Sequence, residues 1–111
     1  MDRPKREEPL YTISVAAKLV RIDKPDEPDI HPQTLRMYER LGLVTPKRIG
    51  KNRLYSDRDI ERIRRIQEYT QVMGVNLAGV EIILNLLERM EEMQQEIDTM
   101  RSLLENQRNG R

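Results

Sequence analysis

The sequence predicts a mainly α-helical protein, in which a helical head with one short β-hairpin is followed by a C-terminal dimerisation helix. Apolar residues recur at helical spacing in four segments, and no Pro or Gly interrupts residues 80–109. Between the second and third of these segments, KRIGKNRLY fits two short strands around a glycine turn. We therefore expect a disordered arm at 1–10, a head domain at 11–75 and a helical, coiled-coil dimerisation region at 76–108.

The composition excludes several classes of protein. Charged residues make up 35% of the 111 residues and aromatic residues 4%, with no Phe, Trp or Cys. Such a chain buries a small helical core, without disulfides, thiolate metal sites or a deep aromatic pocket. No apolar run approaches the roughly 18 residues of a membrane span, and the first residues have no apolar core for export. A cytoplasmic protein with no membrane partner is expected.

The net charge of +1 conceals two segments of opposite sign. Residues 31–65 contain ten basic side chains against four acidic ones, whereas residues 81–108 contain three basic against seven acidic. A basic block followed by an acidic helix indicates a head that binds a polyanion and a tail that associates with itself.

The first helix is predicted from Val15 to Val20, with Ser14 as its N-cap and Val15, Ala16, Leu19 and Val20 on one side. Pro25 and Pro28 then end any helix. They lie in the segment Asp23 to Asp29, which we call the acidic insertion.

The second helix is predicted to begin at Pro32, because the first helical position needs no backbone N–H. His31 either caps this helix or approaches DNA. Gly42 is expected to close the helix in a left-handed conformation, after which Leu43 and Val44 pack on the core. The spacing of Leu35, Tyr38 and Leu41 predicts the buried side.

Polar side chains on the other faces of this helix suit a nucleic acid. Gln and Thr can read base edges, and Arg can pair with guanine or phosphate. The candidates are Gln33, Thr34 and Arg36.

The hairpin, which we call the wing (residues 47–55), is basic enough to lie on a phosphate backbone. Its cations are Lys47, Arg48, Lys51 and Arg53. Tyr55 either packs beneath the hairpin or donates its hydroxyl to a phosphate. Arg58, just beyond the wing, is the arginine of the third helix expected nearest to DNA.

The third helix begins with a capping box, formed by Ser56 and Asp59, and Gly74 is expected to stop it. Its buried stripe is predicted to be Ile60, Ile63, Ile66 or Gln67, Thr70 and Met73. Asn76 is the expected cap of the fourth helix, whose inner face should hold Leu77, Val80, Ile83 or Leu84, and Leu87.

The fourth helix continues as a row of apolar residues that alternate by three and four positions. This row, which we call the seam, comprises Leu87, Met90, Met93, Ile97, Met100 and Leu104. The step from Met90 to Met93 is three where four was due, which shifts the row around the helix. The seam predicts a parallel or antiparallel dimeric coil, and the alternative is a helix folded back on its own head.

No catalytic or metal-binding pattern is present in the sequence. His31 is the single histidine and has no second His or Cys at ligand spacing. There is no phosphate-cradling glycine loop and no Ser motif with an adjacent base. We expect neither an enzyme nor a cofactor.

The segments HPQTLRMYERLGLVTPKR and NRLYSDRDIERI resemble the DNA-binding domain of the MerR family of bacterial transcription regulators. The family pattern is matched at Leu35, Arg36, Tyr38, Glu39, Gly42, Leu43, Pro46, Arg53 and Tyr55, while Met37 replaces an aromatic residue. ISVAAKL, HPQTLRMYERLGLV and GVNLAGVEIIL are similar to the heat-shock repressor (HspR-like) subgroup. The resemblance covers Tyr11 to about Leu87.

This resemblance implies a winged helix-turn-helix that binds inverted repeats in double-stranded DNA as a homodimer. It assigns Gln33, Thr34, Arg36 and Tyr38 to the recognition helix, and Arg48, Lys51, Arg53 and Tyr55 to the wing. The implied function is repression of heat-shock and chaperone genes at the bacterial nucleoid, with an Hsp70-type chaperone as co-repressor.

Two departures from the family pattern leave alternatives open. The acidic insertion lies inside the helix-turn-helix, where it either points away from DNA or weakens binding. The tail also resembles the dimerisation helix of longer MerR-type activators, so activation remains an alternative to repression. A coiled-coil interaction adaptor with nonspecific DNA affinity is a further alternative.

Overall fold

The computed structural model describes residues 8–110, and the chain divides into two units between Gly74 and Val75. The first unit, the head, contains β1 (Leu10–Tyr11), α1 (Ile13–Leu19), α2 (Pro32–Arg40), β2 (Lys47–Ile49), β3 (Asn52–Ser56), α3 (Asp57–Gln67) and a π-helical turn (Glu68–Val72). The second unit contains α4 (Leu77–Asn109). The predicted fold class, mainly α with a small wing and a long C-terminal helix, is confirmed.

The three strands form one antiparallel sheet in the order β1-β3-β2. The wing closes through Gly50 and Lys51, since Ile49 pairs with Asn52, and Gly50 has a φ of 62°. A positive φ suits Gly because it has no Cβ. Strand β1 was not predicted: Leu10 pairs with Ser56. Leu10 thus belongs to the sheet rather than to the predicted disordered arm, whose residues 1–7 lie outside the described residues.

Helix α1 starts two residues earlier than predicted. Thr12 is its N-cap, and Ser14, the predicted cap, lies inside the helix. Ala16, Ala17 and Val20 are buried, whereas Val15 is exposed, which corrects the predicted inner face. The small alanine side chains let α1 approach both α2 and β3, which it contacts.

Helix α2 begins as predicted. Pro32 occupies the first turn, and the Nδ1 atom of His31 accepts a hydrogen bond from the backbone N–H of Gln33 at 3.0 Å. Gly42 follows the helix with a φ of 75°, and Leu43 and Val44 are buried. Leu41 is exposed and not on the buried side, because α2 ends at Arg40 and the chain turns there.

Helix α3 opens with the predicted capping box. The Ser56 hydroxyl accepts from the Asp59 N–H at 3.1 Å, and the Asp59 carboxylate accepts from the Ser56 N–H at 2.9 Å. Its buried stripe includes both Ile66 and Gln67. Met73 is exposed, contrary to the prediction, because the last turn widens into a π-helix and rotates it out of the stripe.

The core of the head is built from α1, α2, α3, β3 and the segments around them. Fully buried members are Ala16, Leu35, Tyr55, Ile63 and Ile66. Because most of these are aliphatic, the head is stabilised mainly by the burial of apolar surface.

Helix α4 is capped as predicted by Asn76, whose side chain accepts from the Gly79 N–H at 2.8 Å. Val80 and Leu84 are buried, while Leu77, Ile83 and Leu87 are half-buried. From residue 88 to 110 every side chain is exposed. None of the helices in residues 8–110 has an apolar stretch long enough to cross a membrane.

The capping box of α3 provides a stability prediction. Ser56→Ala removes the acceptor of the Asp59 N–H and should lower the free energy of unfolding by about 1 kcal/mol, measured by urea denaturation. Ser102→Ala, at an exposed position within α4, is the control and should change it by less than about 0.5 kcal/mol. Equal losses in the two variants would contradict the capping role.

Candidate nucleic-acid interface

The outward face of α2 presents polar and basic side chains. Leu35 and Tyr38 define the buried side. At about 100° per residue, Gln33, Arg36 and Arg40 fall on the opposite side of the helix. Gln33 and Arg40 are exposed, and Arg36 is half-buried.

Arg40 was absent from the sequence-predicted site. It lies seven residues after Gln33, so the two side chains share one face two turns apart. That spacing was available in the sequence. It adds a third long polar side chain to the surface of α2.

Thr34 and Tyr38 occupy less accessible positions on α2. Thr34 is half-buried, on the flank of the outward face. Tyr38 is only 3% exposed, and its hydroxyl accepts a hydrogen bond from the Gln67 side-chain amide at 2.5 Å. Burial raises the pKa of Tyr38, with the hydrogen bond from Gln67 acting against it. The structure therefore places Tyr38 in the core and not on the predicted DNA-binding surface.

The wing presents its basic side chains on two faces. Arg48 is directly opposite Arg53 in the antiparallel register, so both side chains lie on the same face of the hairpin. Lys47 belongs to the other face, and Lys51 lies in the turn. Lys47, Arg48 and Lys51 are exposed.

The carboxylate of Glu39, in the last turn of α2, binds both wing arginines. The Arg53 Nε lies 2.6 Å from each Glu39 carboxylate oxygen, and an Arg48 terminal nitrogen lies 3.2 Å from Oε2. The Glu39 side chain is 12% exposed, against 32% for Arg53 and 66% for Arg48. Arg53, predicted to bind DNA, is thus engaged by a partly buried carboxylate within the protein.

The two arginines decide the ionisation of Glu39. Burial by itself would raise the pKa of this carboxyl, but the hydrogen bonds and positive charges of Arg53 and Arg48 outweigh it and lower the pKa below the usual 4.5. Glu39 in turn raises the pKa of Arg53. The cluster is therefore fully ionised at neutral pH.

Tyr55 lies beneath the wing and is 0% exposed. Of the two predicted roles, the structure shows the packing role. Its hydroxyl has no hydrogen-bond partner among residues 8–110, and burial, followed by the negative charge of Glu39, raises its pKa. Tyr55 thus seats β3 on the core.

The arginines of α3 divide between surface and structural roles. Arg58 is exposed in the first turn, next to the wing, as predicted. Arg62 donates to the Leu43 carbonyl, and Arg64 donates to the Leu19 carbonyl at 2.6 Å. These two arginines hold the segments around α2 and α1 against α3.

The acidic insertion is exposed and is attached to α3. Arg21, just before it, contacts Glu27 and also donates to Gln67 at 2.6 Å and to Gln71 at 3.2 Å. Gln67 is itself bonded to Tyr38 on the buried side of α2. Arg21 thus connects the insertion to Gln67, which contacts the buried side of α2. This side is opposite the face that carries Gln33 and Arg36.

The seam on α4 is exposed along most of its length. Leu87 is half-buried, whereas Met90, Met93, Ile97, Met100 and Leu104 are exposed. These five exposed apolar side chains form one face of α4. That face can be removed from water only by packing against a further helix or another apolar surface.

The described residues contain no candidate metal site. Within 8–110, no group of three or more His, Asp or Glu side chains could hold a metal ion. The basic side chains of α2 and the wing form the main candidate site, and their chemistry suits a polyanion.

Comparisons with known proteins agree with this arrangement. Residues 11–87 match the family model described as MerR HTH family regulatory protein. The chain is 48% identical over 87 residues to a protein of Streptomyces coelicolor named as the heat shock protein HspR. The aligned region covers 78% of this chain and 52% of that relative. It is 40% identical over 78 residues to the HTH-type transcriptional regulator MlrA of Salmonella typhimurium and of Escherichia coli, covering 68% of this chain and 28% of each relative. The chain thus spans about half the length of the HspR relative and less of MlrA.

The ionisation of Glu39 provides a pH prediction. A folded pKa below the usual value means that the cluster stabilises the fold above about pH 4.5 and that this contribution is lost as the pH falls through the lowered value. Wild type should therefore be more stable than Glu39→Gln at about pH 7, with the difference shrinking at about pH 3.5, in urea titrations.

Asp26→Asn, in the exposed acidic insertion, is the matched control for loss of one carboxylate. Its stability difference from wild type should remain small at both pH values. A difference for Glu39→Gln that does not change with pH would show that the ion pairs do not stabilise the fold.

Proposed function

The chain belongs to the MerR family of helix-turn-helix transcriptional regulators, and we propose that it is a dimeric, sequence-specific repressor of heat-shock and chaperone genes. The observation that carries this proposal is the basic surface formed by α2 and the wing, in a chain 48% identical to an HspR protein. Its target is double-stranded DNA with inverted repeats, because a two-fold dimer presents two equivalent heads.

Helix α2 enters the major groove in this proposal. Gln33, Thr34 and Arg36 reach base edges, where amide, hydroxyl and guanidinium groups match the donors and acceptors of the bases. Arg40, on the same face as Gln33, extends this contact towards the backbone.

The wing and the start of α3 hold the flanking backbone. Arg48, Lys51 and Arg58 are exposed and basic, which suits phosphate oxygens. Tyr38 and Tyr55 act from the core, where they hold α2 and β3 in place.

Helix α4 joins two copies of the chain. The exposed seam supports this, because pairing two such helices buries Met90, Met93, Ile97, Met100 and Leu104. The half-site spacing then follows from the separation of the two heads.

The family resemblance adds an Hsp70-type chaperone as co-repressor. Free chaperone would tighten repression, and its recruitment by unfolded proteins would relieve it.

Fluorescence-anisotropy titrations test the proposal at fixed, near-physiological salt. Duplexes from upstream of the gene's own operon and of chaperone genes should bind roughly a thousandfold more tightly than scrambled duplexes. Arg36→Ala should weaken binding to the preferred duplex by roughly 1 to 3 kcal/mol, because it removes a base contact. Arg65→Ala, on the exposed surface of α3, is the matched control and should retain the preference.

Equal affinity for all duplexes, with and without added Hsp70-type chaperone, would contradict the proposal. It would favour the adaptor alternative, in which the head adds only nonspecific affinity. Transcription from the preferred promoter in a purified system then separates repression from activation.

The proposed dimer contact at the seam predicts the molar mass of the protein in solution. Ile97→Asp places a carboxylate in the seam and should convert a dimer into a monomer in sedimentation equilibrium, because burying an unpaired charge is costly. Gln95→Asp adds the same group on the opposite side of α4 and should remain dimeric. A dimeric Ile97→Asp variant would place the dimer contact elsewhere.

A further inference from the structure

We propose that Glu39 is a positioning residue for DNA binding, which ties the wing to α2 through Arg53 and leaves Arg48 as the arginine of this cluster that meets a phosphate. The inference rests on the proposed DNA-binding function. It assigns different roles to two arginines that lie directly opposite each other in the hairpin.

The two arginines contact Glu39 with different geometry. The Arg53 Nε is 2.6 Å from both oxygens of a carboxylate that is 12% exposed, whereas Arg48 makes one contact of 3.2 Å. A separation of 2.6 Å is as short as a strong charge-assisted hydrogen bond, whereas 3.2 Å is long for one. Arg53 is therefore held more firmly than Arg48.

The two arginines would also leave Glu39 with different contacts if either turned towards DNA. If Arg53 left, the partly buried carboxylate would keep only the weaker contact with Arg48. Removing one partner from a buried ion pair is strongly unfavourable. If Arg48 left, Glu39 would keep both contacts with Arg53. Arg48 is also 66% exposed and can reach a phosphate with little rearrangement.

Glu39 also offsets the repulsion between the two arginines. Arg48 and Arg53 are cross-strand neighbours, and like charges in that position destabilise a hairpin. One carboxylate between them offsets the repulsion and leaves the cluster with a net positive charge. Glu39 thus permits two arginines on one face of a short wing.

The position of Glu39 in α2 explains why the ion-pair cluster should affect DNA binding. It lies in α2 three residues after Arg36, so it links the base-reading helix to the backbone-reading hairpin. Fixing these two elements relative to each other in the free protein reduces the ordering that DNA would otherwise have to impose.

The variant Glu39→Gln separates positioning from simple repulsion. If Glu39 only repelled phosphates, its neutralisation would tighten binding to every duplex. Under the proposal, Glu39→Gln should weaken binding to the preferred duplex by about tenfold, the scale of one ordinary contact, while scrambled duplexes bind as well or better. Asp26→Asn is the control that removes a carboxylate elsewhere on the head, and it should not lose the preference.

Salt dependence separates the two arginines. Arg48→Gln should reduce the slope of log affinity against log salt by about 0.9, since one phosphate contact is lost. Arg53→Gln should lower the affinity for the preferred duplex and leave the slope unchanged. A reduced slope for Arg53→Gln, or tighter binding of the preferred duplex by Glu39→Gln, would overturn the proposal.

Hydrogen exchange of the free protein tests the tether without DNA. Backbone amides of residues 47–55 should exchange faster in Glu39→Gln than in wild type, while those of α4 should not change. This readout distinguishes the two failures: absence of any preferred duplex contradicts the proposed function, whereas unchanged exchange in the wing contradicts the tether.

Discussion

The orientation of α2 depends on one buried hydrogen bond, from the Gln67 side-chain amide to the Tyr38 hydroxyl. Gln67 is a buried polar residue at the end of α3, and its oxygen accepts from Arg21. Because a buried polar group without a partner is costly, this chain of contacts favours one rotation of α2 about its axis. That rotation directs Tyr38 inwards and Gln33, Arg36 and Arg40 outwards. The side chains that α2 presents to solvent are thus determined by the hydrogen bond that Tyr38 makes on its buried side.

Most features set by neighbouring residues were predictable from the sequence, although Ser14, the predicted N-cap of α1, lies inside that helix. The caps at His31, Ser56 and Asn76, the glycine turn at Gly42 and the hairpin around Gly50 each depend on a few adjacent positions. Local hydrogen bonds and backbone preferences are sufficient to specify them. The same holds for the seam as a pattern of apolar residues on α4, although its role stays a prediction.

Features that depend on distant pairing were not predictable. Strand β1 is two residues long and exists because Leu10 and Tyr11 meet Ser56 and Tyr55, far along the chain. The partner of Arg53 is Glu39, fourteen positions earlier on another element. The number of Lys and Arg residues predicts a basic surface. It does not show which of these side chains forms an ion pair with a carboxylate within the protein. Tyr38 was assigned to DNA by the family resemblance, whereas the helical spacing of Leu35 and Tyr38 predicted the buried side, where the Tyr38 ring lies.

The exposed seam has a consequence for the level of the protein. In the proposed dimer, the seam residues from Met90 to Leu104 gain their apolar burial only on association, so the paired form follows mass action. At low abundance, the amount of paired species then rises with the square of the chain concentration. Promoter occupancy would respond steeply to synthesis and degradation of the chain. Through the exposed seam of α4, the cellular concentration of the protein would therefore itself regulate promoter occupancy.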